Sequence, residues 1–316
     1  MNKEIFYIPS SDEINRIHGV HWKPDVPVRG VLQVTHGMVE YIERYEPLAE
    51  YLTADGIAVI GHDHLGHGKS AASEAELGFF GEKNGDRTLV KDIHRITVAA
   101  KRMYPGLPCF LMGHSMGSFY ARRYMTIYGG EVDGVILMGT GWVPLTLANL
   151  GWVLSGAVCI LRGKRYRSRL LVELTLGSYN RAFRKEGLPN AWLSRERKSV
   201  ERYNQDPLCN FWFTASAYHC FFAVLRDLAH EKQFGRIPKG LPVLFLSGDQ
   251  DPVGGFGDGV EKAYQSMKHL GIQDIHMKLY PDDRHELVNE MDRYQVYQDI
   301  LQWLNMHIEE MAEKEE

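Results

Sequence analysis

Five residues near the middle of the chain have the spacing of a serine nucleophile. Gly113-His114-Ser115-Met116-Gly117 reads G-x-S-x-G, and it lies between an apolar run that ends at Met112 and an amphipathic stretch that begins at Ser118. A sharp turn from a strand to a helix would present the Ser115 hydroxyl, and the glycines would let neighbouring backbones approach closely. In this context the motif predicts covalent catalysis by Ser115 rather than an ordinary turn serine.

A serine nucleophile needs a general base and a carboxylate that orients the base. His285 follows the last predicted strand and is the candidate base. Two carboxylates, Asp249 and Asp251, follow the preceding strand. The Asp-Pro-Val sequence favours Asp251, whereas Asp249 comes directly after a glycine and could only cap the turn. We therefore expect a triad of Ser115, Asp251 and His285, with Asp249 as the alternative carboxylate.

Two backbone N–H groups are candidates for an oxyanion hole. One is that of Met116, which directly follows the nucleophile, and the other is that of Met38, in the loop after an apolar run at residues 31–34. Donors placed in this way would stabilise the negative charge that develops during acyl transfer. The alternative is that Gly37 merely permits a tight turn in that loop.

Apolar runs that alternate with amphipathic stretches surround these residues, which is the pattern of a mostly parallel sheet covered by helices on both faces. Residues 4–8 and 17–22 predict an opening antiparallel hairpin. The alternation stops at residue 141 and resumes near residue 241. We predict an α/β core formed by residues 1–141 and 236–316, and a helical cap, rich in aromatic residues, formed by residues 142–235.

Candidates for substrate binding lie beside the catalytic loops and in the cap. They are His36, Gly37, His114, Trp142, Phe211, Trp212 and Phe222. The cap also contains an apolar run at residues 152–161, followed by five cations within residues 162–169. Such a helix can lie on an anionic membrane surface. Alternatively, the apolar run packs on the core and the cations are only solvated.

Three histidines and an aspartate within residues 62–67 could ligate zinc. We expect no metal there, because no cysteine pair or distant acidic cluster completes a site. The glycines in this segment instead favour a wide loop near the carboxyl edge of the sheet.

Composition excludes several classes of partner and location. The chain has a net charge of −4 and an isoelectric point near 6.4, so it is not basic as a nucleic-acid-binding protein usually is. The first residues include no apolar stretch of the signal-peptide type, and the four cysteines have no C-x-x-C spacing, so we expect a cytoplasmic protein. Residues 134–161 carry no charge, but Pro144 and the glycines between 139 and 141 predict a strand, a loop and a helix rather than a membrane span.

The motifs together resemble the monoglyceride lipase and lysophospholipase branch of the α/β-hydrolases over most of the chain. The matching segments are residues 35–37, 63–70, 113–117 and 285–290, with weaker likeness to bacterial lysophospholipases at 192–195 and 206–209. The resemblance implies an eight-stranded sheet, a helical cap between strands six and seven, and no cofactor. Met38 departs from the pattern, since monoglyceride lipases commonly have a small residue there, which implies a differently shaped acyl pocket.

Three functions remain in competition at this point. The first is hydrolysis of lipophilic monoacyl esters, with monoacylglycerol ahead of lysophospholipid, and with transient contact between the cap and a membrane. The second is the hydrolysis of small or aryl esters, or a related peptidase or acyltransferase activity. The third is a receptor or scaffold without turnover, against which the complete set of Ser115, Asp251 and His285 argues. The sequence does not indicate an oligomeric state.

Overall fold

The computed structural model describes residues 1–230 and 235–315, and eight strands in this part form one sheet in the order β1-β2-β4-β3-β5-β6-β7-β8. The strands β3 to β8 are mutually parallel, while β1 and β2 form an antiparallel hairpin that pairs with β4. This confirms the predicted mostly parallel, eight-stranded sheet. The strands are β1 (Asn2–Pro9), β2 (Arg16–Lys23), β3 (Gly30–Thr35), β4 (Ile57–His62), β5 (Cys109–His114), β6 (Gly134–Met138), β7 (Val243–Gly248) and β8 (Ile275–Tyr280).

Helices cover both faces of the sheet. Every residue of β3 to β7 is buried, which explains why those strands read as continuous apolar runs in the sequence. The edge strands β1 and β8 instead alternate in exposure. The helices are α1 (Glu46–Thr53), α2 (Gly85–Met103), α3 (Met116–Tyr128), α4 (Leu145–Arg162), α5 (Arg169–Thr175), α6 (Arg197–Gln205), α7 (Ala215–Leu228), α8 (Asp258–His269) and α9 (Arg293–Glu315).

Two apolar clusters, one on each face, hold these layers together. Strand side chains alternate between the faces, so that Leu111 joins the cluster of α2, α3 and α8 while Met112 joins that of α1 and α9. Because the period is two, β5, β6 and β7 contribute to both clusters at once, whereas the side chains of β3 and β4 that face α2 form a smaller cluster with it. The sheet is therefore fixed on both sides, and its carboxyl edge is a rigid base for the loops that follow the strands.

In the described part of the chain between β6 and β7, the α-helices are α4 to α7. Helix α4 packs on α7, where the Phe222 ring occupies the space that a Cβ at Gly151 would need. Helix α7 in turn packs on α3 of the core. The segment falls in the predicted cap, residues 142–235, of which residues 231–234 lie outside the described residues.

The uncharged stretch at residues 134–161 forms β6, a loop and α4, as predicted. Within the described ranges, α4 is the one helix that is long and apolar enough to cross a membrane by length and composition, with a mean hydropathy of 1.5. Only 11% of it is buried. Part of its apolar surface, including Val153, Ile160 and Leu161, therefore faces the surroundings, while other apolar side chains of the helix pack partly buried against the core.

Candidate active site

Ser115 lies at a strained turn between β5, which ends at His114, and α3, which begins at Met116. Its φ of 52° and ψ of −122° belong to a region that non-glycine residues rarely adopt, at a cost of about 1–3 kcal/mol. The strain is held by backbone hydrogen bonds, since Ser115 N–H donates to Met138 at 2.9 Å and its carbonyl accepts from Ser118 N–H at 2.9 Å. The turn places the Ser115 side chain at the wall of a cavity.

Two glycines make this turn possible. A Cβ at Gly117 would lie 2.2 Å from the carbonyl oxygen of Thr35 and 2.6 Å from that of His36. A Cβ at Gly113 would lie 2.6 Å from the carbonyl oxygen of Gly117. The first turn of α3 thus passes directly over the end of β3, which brings Ser115 beside the loop that follows β3.

The structure joins Asp251, the residue three positions after β7, to His285. Asp251 Oδ2 lies 2.9 Å from His285 Nδ1, and both side chains are buried. The other carboxylate oxygen of Asp251 accepts the N–H of Val253 at 2.8 Å. Asp249 is partly exposed, and its carboxylate accepts the N–H of Asp282 instead. The contacts thus differ for the two candidate carboxylates, because Asp251 bonds the imidazole and Asp249 ties down the neighbouring loop.

Ser115 and His285 line the same cavity. Across the described residues no hydrogen bond joins the Ser115 hydroxyl to the imidazole. Such bonds are commonly long in unliganded hydrolases and shorten when substrate binds. Rotation about the Cα–Cβ bond of Ser115 changes where the hydroxyl points without moving the backbone.

The N–H groups of Met38 and Met116 have no acceptor within residues 1–230 and 235–315. Both residues line the cavity beside Ser115. In the loop after β3, the flanking donors are engaged, since Gly37 N–H donates to the Glu40 carboxylate and Val39 N–H donates to His67 Nε2 at 3.3 Å. Unpaired backbone donors in a buried loop are rare. The loop therefore leaves one donor, that of Met38, free to face a ligand.

The cavity has a volume of about 350 Å³ and is walled chiefly by apolar side chains. Of the predicted substrate-binding residues, His114 and Phe222 are in its wall. The wall as described does not include His36, Gly37, Trp142, Phe211 or Trp212. The imidazole of His36 lies behind the loop and accepts the N–H of His64, and Phe211 packs on His67. The apolar wall comes instead from α4, α5 and α7, with Leu147, Leu150, Leu154, Leu171, Leu174, Phe221, Phe222 and Leu225.

A segment of the insertion is hydrogen-bonded to the loop that carries His285. The N–H of Glu286 donates to Leu193 at 2.7 Å, and the guanidinium of Arg284 donates to the carbonyl of Ala191 at 2.6 Å. The Trp192 ring packs on the His285 imidazole, with 4.9 Å between the ring centroids. From the sequence these residues are predicted to lie in the cap, and nothing in the sequence indicates that they contact the loop that carries His285.

Glu40, which was not predicted from the sequence, is buried in the cavity wall beside Ser115. Its carboxylate lies 2.8 Å from His114 Nδ1 and accepts the hydroxyl of Tyr45 at 3.0 Å. Burial alone would raise the pKa of this carboxyl, but the His114 imidazolium and Arg44 hold the pKa well below its ordinary value. The signal in the sequence is an acid three residues after the His-Gly pair of the loop.

The histidines of residues 62–67 belong to a hydrogen-bonded loop. Asp63 lies 2.8 Å from His18 Nδ1 and accepts the N–H groups of Ile42 and Lys69 at 2.8 Å each. Burial lowers the pKa of His62 and of His67 to about 3, so both rings are neutral at pH 7.

Two groups within the described ranges have the spacing of metal ligands. One is Asp274, His307 and Glu310, and the other is Asp283, Glu290 and Asp292. Arg195 already forms ion pairs with all three acids of the second group. Neither group lines the cavity that contains Ser115.

Comparison with known proteins gives consistent matches over nearly the whole chain. Residues 26–292 match the model of the family described as serine aminopeptidase, S33. The chain is 27% identical to a monoacylglycerol lipase of Mycolicibacterium smegmatis, covering 91% of this chain and 92% of that protein. It is 28% identical to the human monoglyceride lipase, covering 90% and 85% of the two chains. A thermostable carboxyl esterase of Bacillus coagulans, solved in complex with glycerol, superposes with a TM-score of 0.91 at 28% identity, covering 98% and 99%.

The close approach at Gly117 generates a test with a matched control. Gly117→Ala should lower the free energy of unfolding by about 3 kcal/mol or more, because the new Cβ collides with the backbone of β3. Gly130→Ala should change it by less than about 0.5 kcal/mol, since no atom lies within 4 Å of a Cβ at that position. Urea unfolding of both variants measures the difference. Equal stability of the two variants would contradict the proposed crossing of α3 over β3.

Proposed function

We propose that this chain, which belongs to the serine aminopeptidase S33 family of α/β-hydrolases, hydrolyses lipophilic monoacyl esters through an acyl-enzyme on Ser115. It is a carboxylic ester hydrolase, as the similar lipases and esterase indicate. Monoacylglycerol is the first candidate substrate and lysophospholipid is the second. The observation that carries the proposal is a largely apolar cavity with Ser115, His285 and two free backbone donors in its wall.

In the proposed reaction, His285 takes the proton of the Ser115 hydroxyl as the oxygen attacks the ester carbonyl. The carbonyl oxygen becomes negative and accepts the N–H groups of Met38 and Met116. His285 then donates the proton to the departing alcohol, leaving the acyl group on Ser115. Water repeats the sequence on the acyl-enzyme and releases the carboxylic acid. Asp251 holds the Nδ1 side of the imidazole, so that Nε2 faces the reacting oxygen.

Two neutralised carboxylates favour esters over peptides with a free amino terminus. Glu40 and Glu286 are the acidic residues in the wall of the cavity as described. Glu40 is paired with His114, and both carboxylate oxygens of Glu286 accept from Nη2 of Arg44, at 2.8 and 2.6 Å. An α-ammonium group would have to displace one of these partners, and breaking a buried pair is costly. We therefore place aminopeptidase activity behind ester hydrolysis.

The roles in the triad are tested by comparing the two carboxylates. Asp251→Asn should lower kcat about 10³-fold to 10⁴-fold, because the imidazole loses the partner that fixes its tautomer. Asp249→Asn should lower it by less than about tenfold, since Asp249 bonds only the neighbouring loop. Ser115→Ala, expected to lose about 10³-fold or more, sets the baseline.

Steady-state hydrolysis of a nitrophenyl ester and labelling by a fluorophosphonate probe measure these losses. The reverse ranking of the two aspartates would move the third triad role to Asp249. Near-normal turnover by pure Ser115→Ala protein would overturn the proposed function, and failure of the wild-type protein to take up the probe would favour a scaffold.

The shape of the cavity predicts how activity depends on acyl length. Each buried methylene contributes up to about 0.8 kcal/mol, so kcat/KM should rise by up to about fourfold per methylene until the cavity is filled. Medium or long monoacyl esters should exceed acetyl esters by about tenfold or more. Leu154→Trp should shift the optimum to shorter chains because Leu154 lines the cavity, whereas Val153→Trp on the exposed side of α4 should not.

A series of monoacylglycerols below their aggregation threshold provides the measurement. Faster turnover of acetyl or feruloyl esters than of a decanoyl monoglyceride would favour the small-ester alternative. Triacylglycerols should be poor substrates, since the enclosed cavity leaves little room for two further chains on the alcohol.

We also propose that the exposed face of α4 contacts a membrane and that the protein is otherwise cytoplasmic. Ile160 and Leu161 are 86% and 79% exposed at the end of this helix. The adjacent cations, expected from the sequence to attract anionic lipid, are largely engaged by the core. Arg165 pairs with Glu76 at 2.6 Å, and Lys164 donates to the carbonyl of Glu82 at 2.6 Å. The contact would therefore depend on apolar side chains more than on charge.

Vesicle sedimentation tests this contact. Ile160→Ser should weaken binding to phosphatidylcholine vesicles severalfold, and Ile14→Ser should not, although Ile14 is equally exposed at 82% on the β1–β2 turn. Adding anionic lipid should raise binding by less than about threefold, because Lys164, Arg165 and Arg167 are already engaged by residues of the core. Binding that requires anionic lipid, or equal effects of the two substitutions, would contradict the proposal.

A further inference from the structure

We propose that the buried pair of Glu40 and His114 is a positioning device that holds the oxyanion loop and the His285 loop in register with Ser115. This inference rests on the proposed function, because it concerns the same active site. Glu40 and His114 would thus position the groups that react, whereas Ser115, His285 and the backbone donors contact the substrate themselves.

Glu40 holds the loop that carries the Met38 donor. The carboxylate accepts the N–H of Gly37, the residue immediately before Met38. On the other side of Met38, Val39 is fixed through its N–H by His67 and through its carbonyl by the Tyr203 hydroxyl at 3.0 Å. Val39 has a φ of 57°, a strained value that such contacts must maintain. The direction of the Met38 N–H therefore depends on the contact between Gly37 and Glu40.

His114 extends this connection to the catalytic histidine. Its Nδ1 lies 2.8 Å from the Glu40 carboxylate, and its Nε2 lies 3.2 Å from the backbone carbonyl oxygen of His285. Both ring nitrogens thus face acceptors, so both must carry a proton to satisfy the geometry, and the ring is an imidazolium. Burial lowers the pKa of His114, but the Glu40 carboxylate overcomes this effect and the pKa is raised above its ordinary value.

The charges of the pair also affect the base. The rings of His114 and His285 lie 4.8 Å apart between centroids, so an uncompensated charge on either partner would act on His285. The other titratable or charged groups that face the pair are Arg44, Tyr45, His36 and Glu286. With Glu40 negative and His114 positive, the pair adds no net charge beside His285.

The first experiment separates positioning from substrate binding. Glu40→Gln should lower kcat by about tenfold or more while KM changes by less than about threefold, because the neutral amide holds the N–H groups of Gly37 and His114 less firmly than the carboxylate does. The Met38 donor is then less well aimed at the oxygen that becomes negative in the transition state, while ground-state binding changes little. The affinity for a trifluoromethyl ketone, which forms a tetrahedral adduct with Ser115, should fall by the same factor. The affinity for the carboxylic acid product should not fall. Asp227→Asn, which removes a surface ion pair with Arg123, is the control and should leave all three values unchanged.

The second experiment uses the charge. His114→Asn leaves Glu40 negative beside His285, which raises the pKa of the base, so the acid limb of kcat/KM should move up by about half a pH unit or more. The double variant Glu40→Gln/His114→Asn removes both charges and should return the limb to its wild-type position while activity stays low. If the role were purely structural, all three variants would lose activity. The acid limb would then not move in His114→Asn and would not return to its wild-type position in the double variant.

Three outcomes overturn the proposal. They are a wild-type kcat in Glu40→Gln, a loss of product affinity equal to the loss of ketone affinity, and an acid limb that is the same in all variants. If Glu40→Gln does not fold, as melting temperature shows, the double variant supplies the kcat and ketone measurements. Residual activity of Ser115→Ala tests the proposed function separately. A fully active wild-type enzyme that fails the tests on Glu40 and His114 would refute the positioning role alone.

Discussion

The crossing of α3 over the end of β3 is the constraint on which the active site depends. It requires glycine at position 117, where a Cβ would meet the Thr35 carbonyl at 2.2 Å, and it forces Ser115 into a left-handed backbone conformation. The cooperative stability of a sheet buried on both faces holds that strain. Because β3, β5, β7 and β8 are parallel, the loops after them reach the same edge. Met38, Ser115, Asp251 and His285 thus converge from segments distant in sequence.

The secondary-structure elements could be predicted from the sequence, and candidates for the reactive residues could be named, because both depend on local patterns. Continuous apolar runs marked the buried strands, and the residues that follow strand ends marked the candidates for the triad. The local pattern also left two candidates for the triad carboxylate, Asp249 and Asp251, which are two residues apart. Only the folded loop separates them, since it turns Asp251 inward to His285 and leaves Asp249 partly exposed.

Features that depend on tertiary partners could not be predicted in the same way. Aromatic content suggested that Phe211 and Trp212 would line the pocket, but composition does not say which way a ring faces, and leucines of α4 and α5 form much of the wall. Glu40 looked like an ordinary loop acid because its partner His114 is 74 residues away. The cations after α4 looked free for the same reason, although acids and carbonyls of the core engage them.

One part of the insertion is bonded to the loop that carries His285 and another part is not, and this limits how caps can be exchanged among related hydrolases. Residues 191–195 are hydrogen-bonded to the loop that carries His285, while α4 exposes most of its surface. A recombination junction at the ends of the whole insertion would import a foreign partner for the catalytic loop. A junction between α5 and residue 186 would exchange α4 and α5 and keep α7, the third helix in the cavity wall. Among natural relatives, the sequences of α4 and α5 should vary more than residues 191–195. Substitutions at 191–195 should be accompanied by substitutions in residues 283–292.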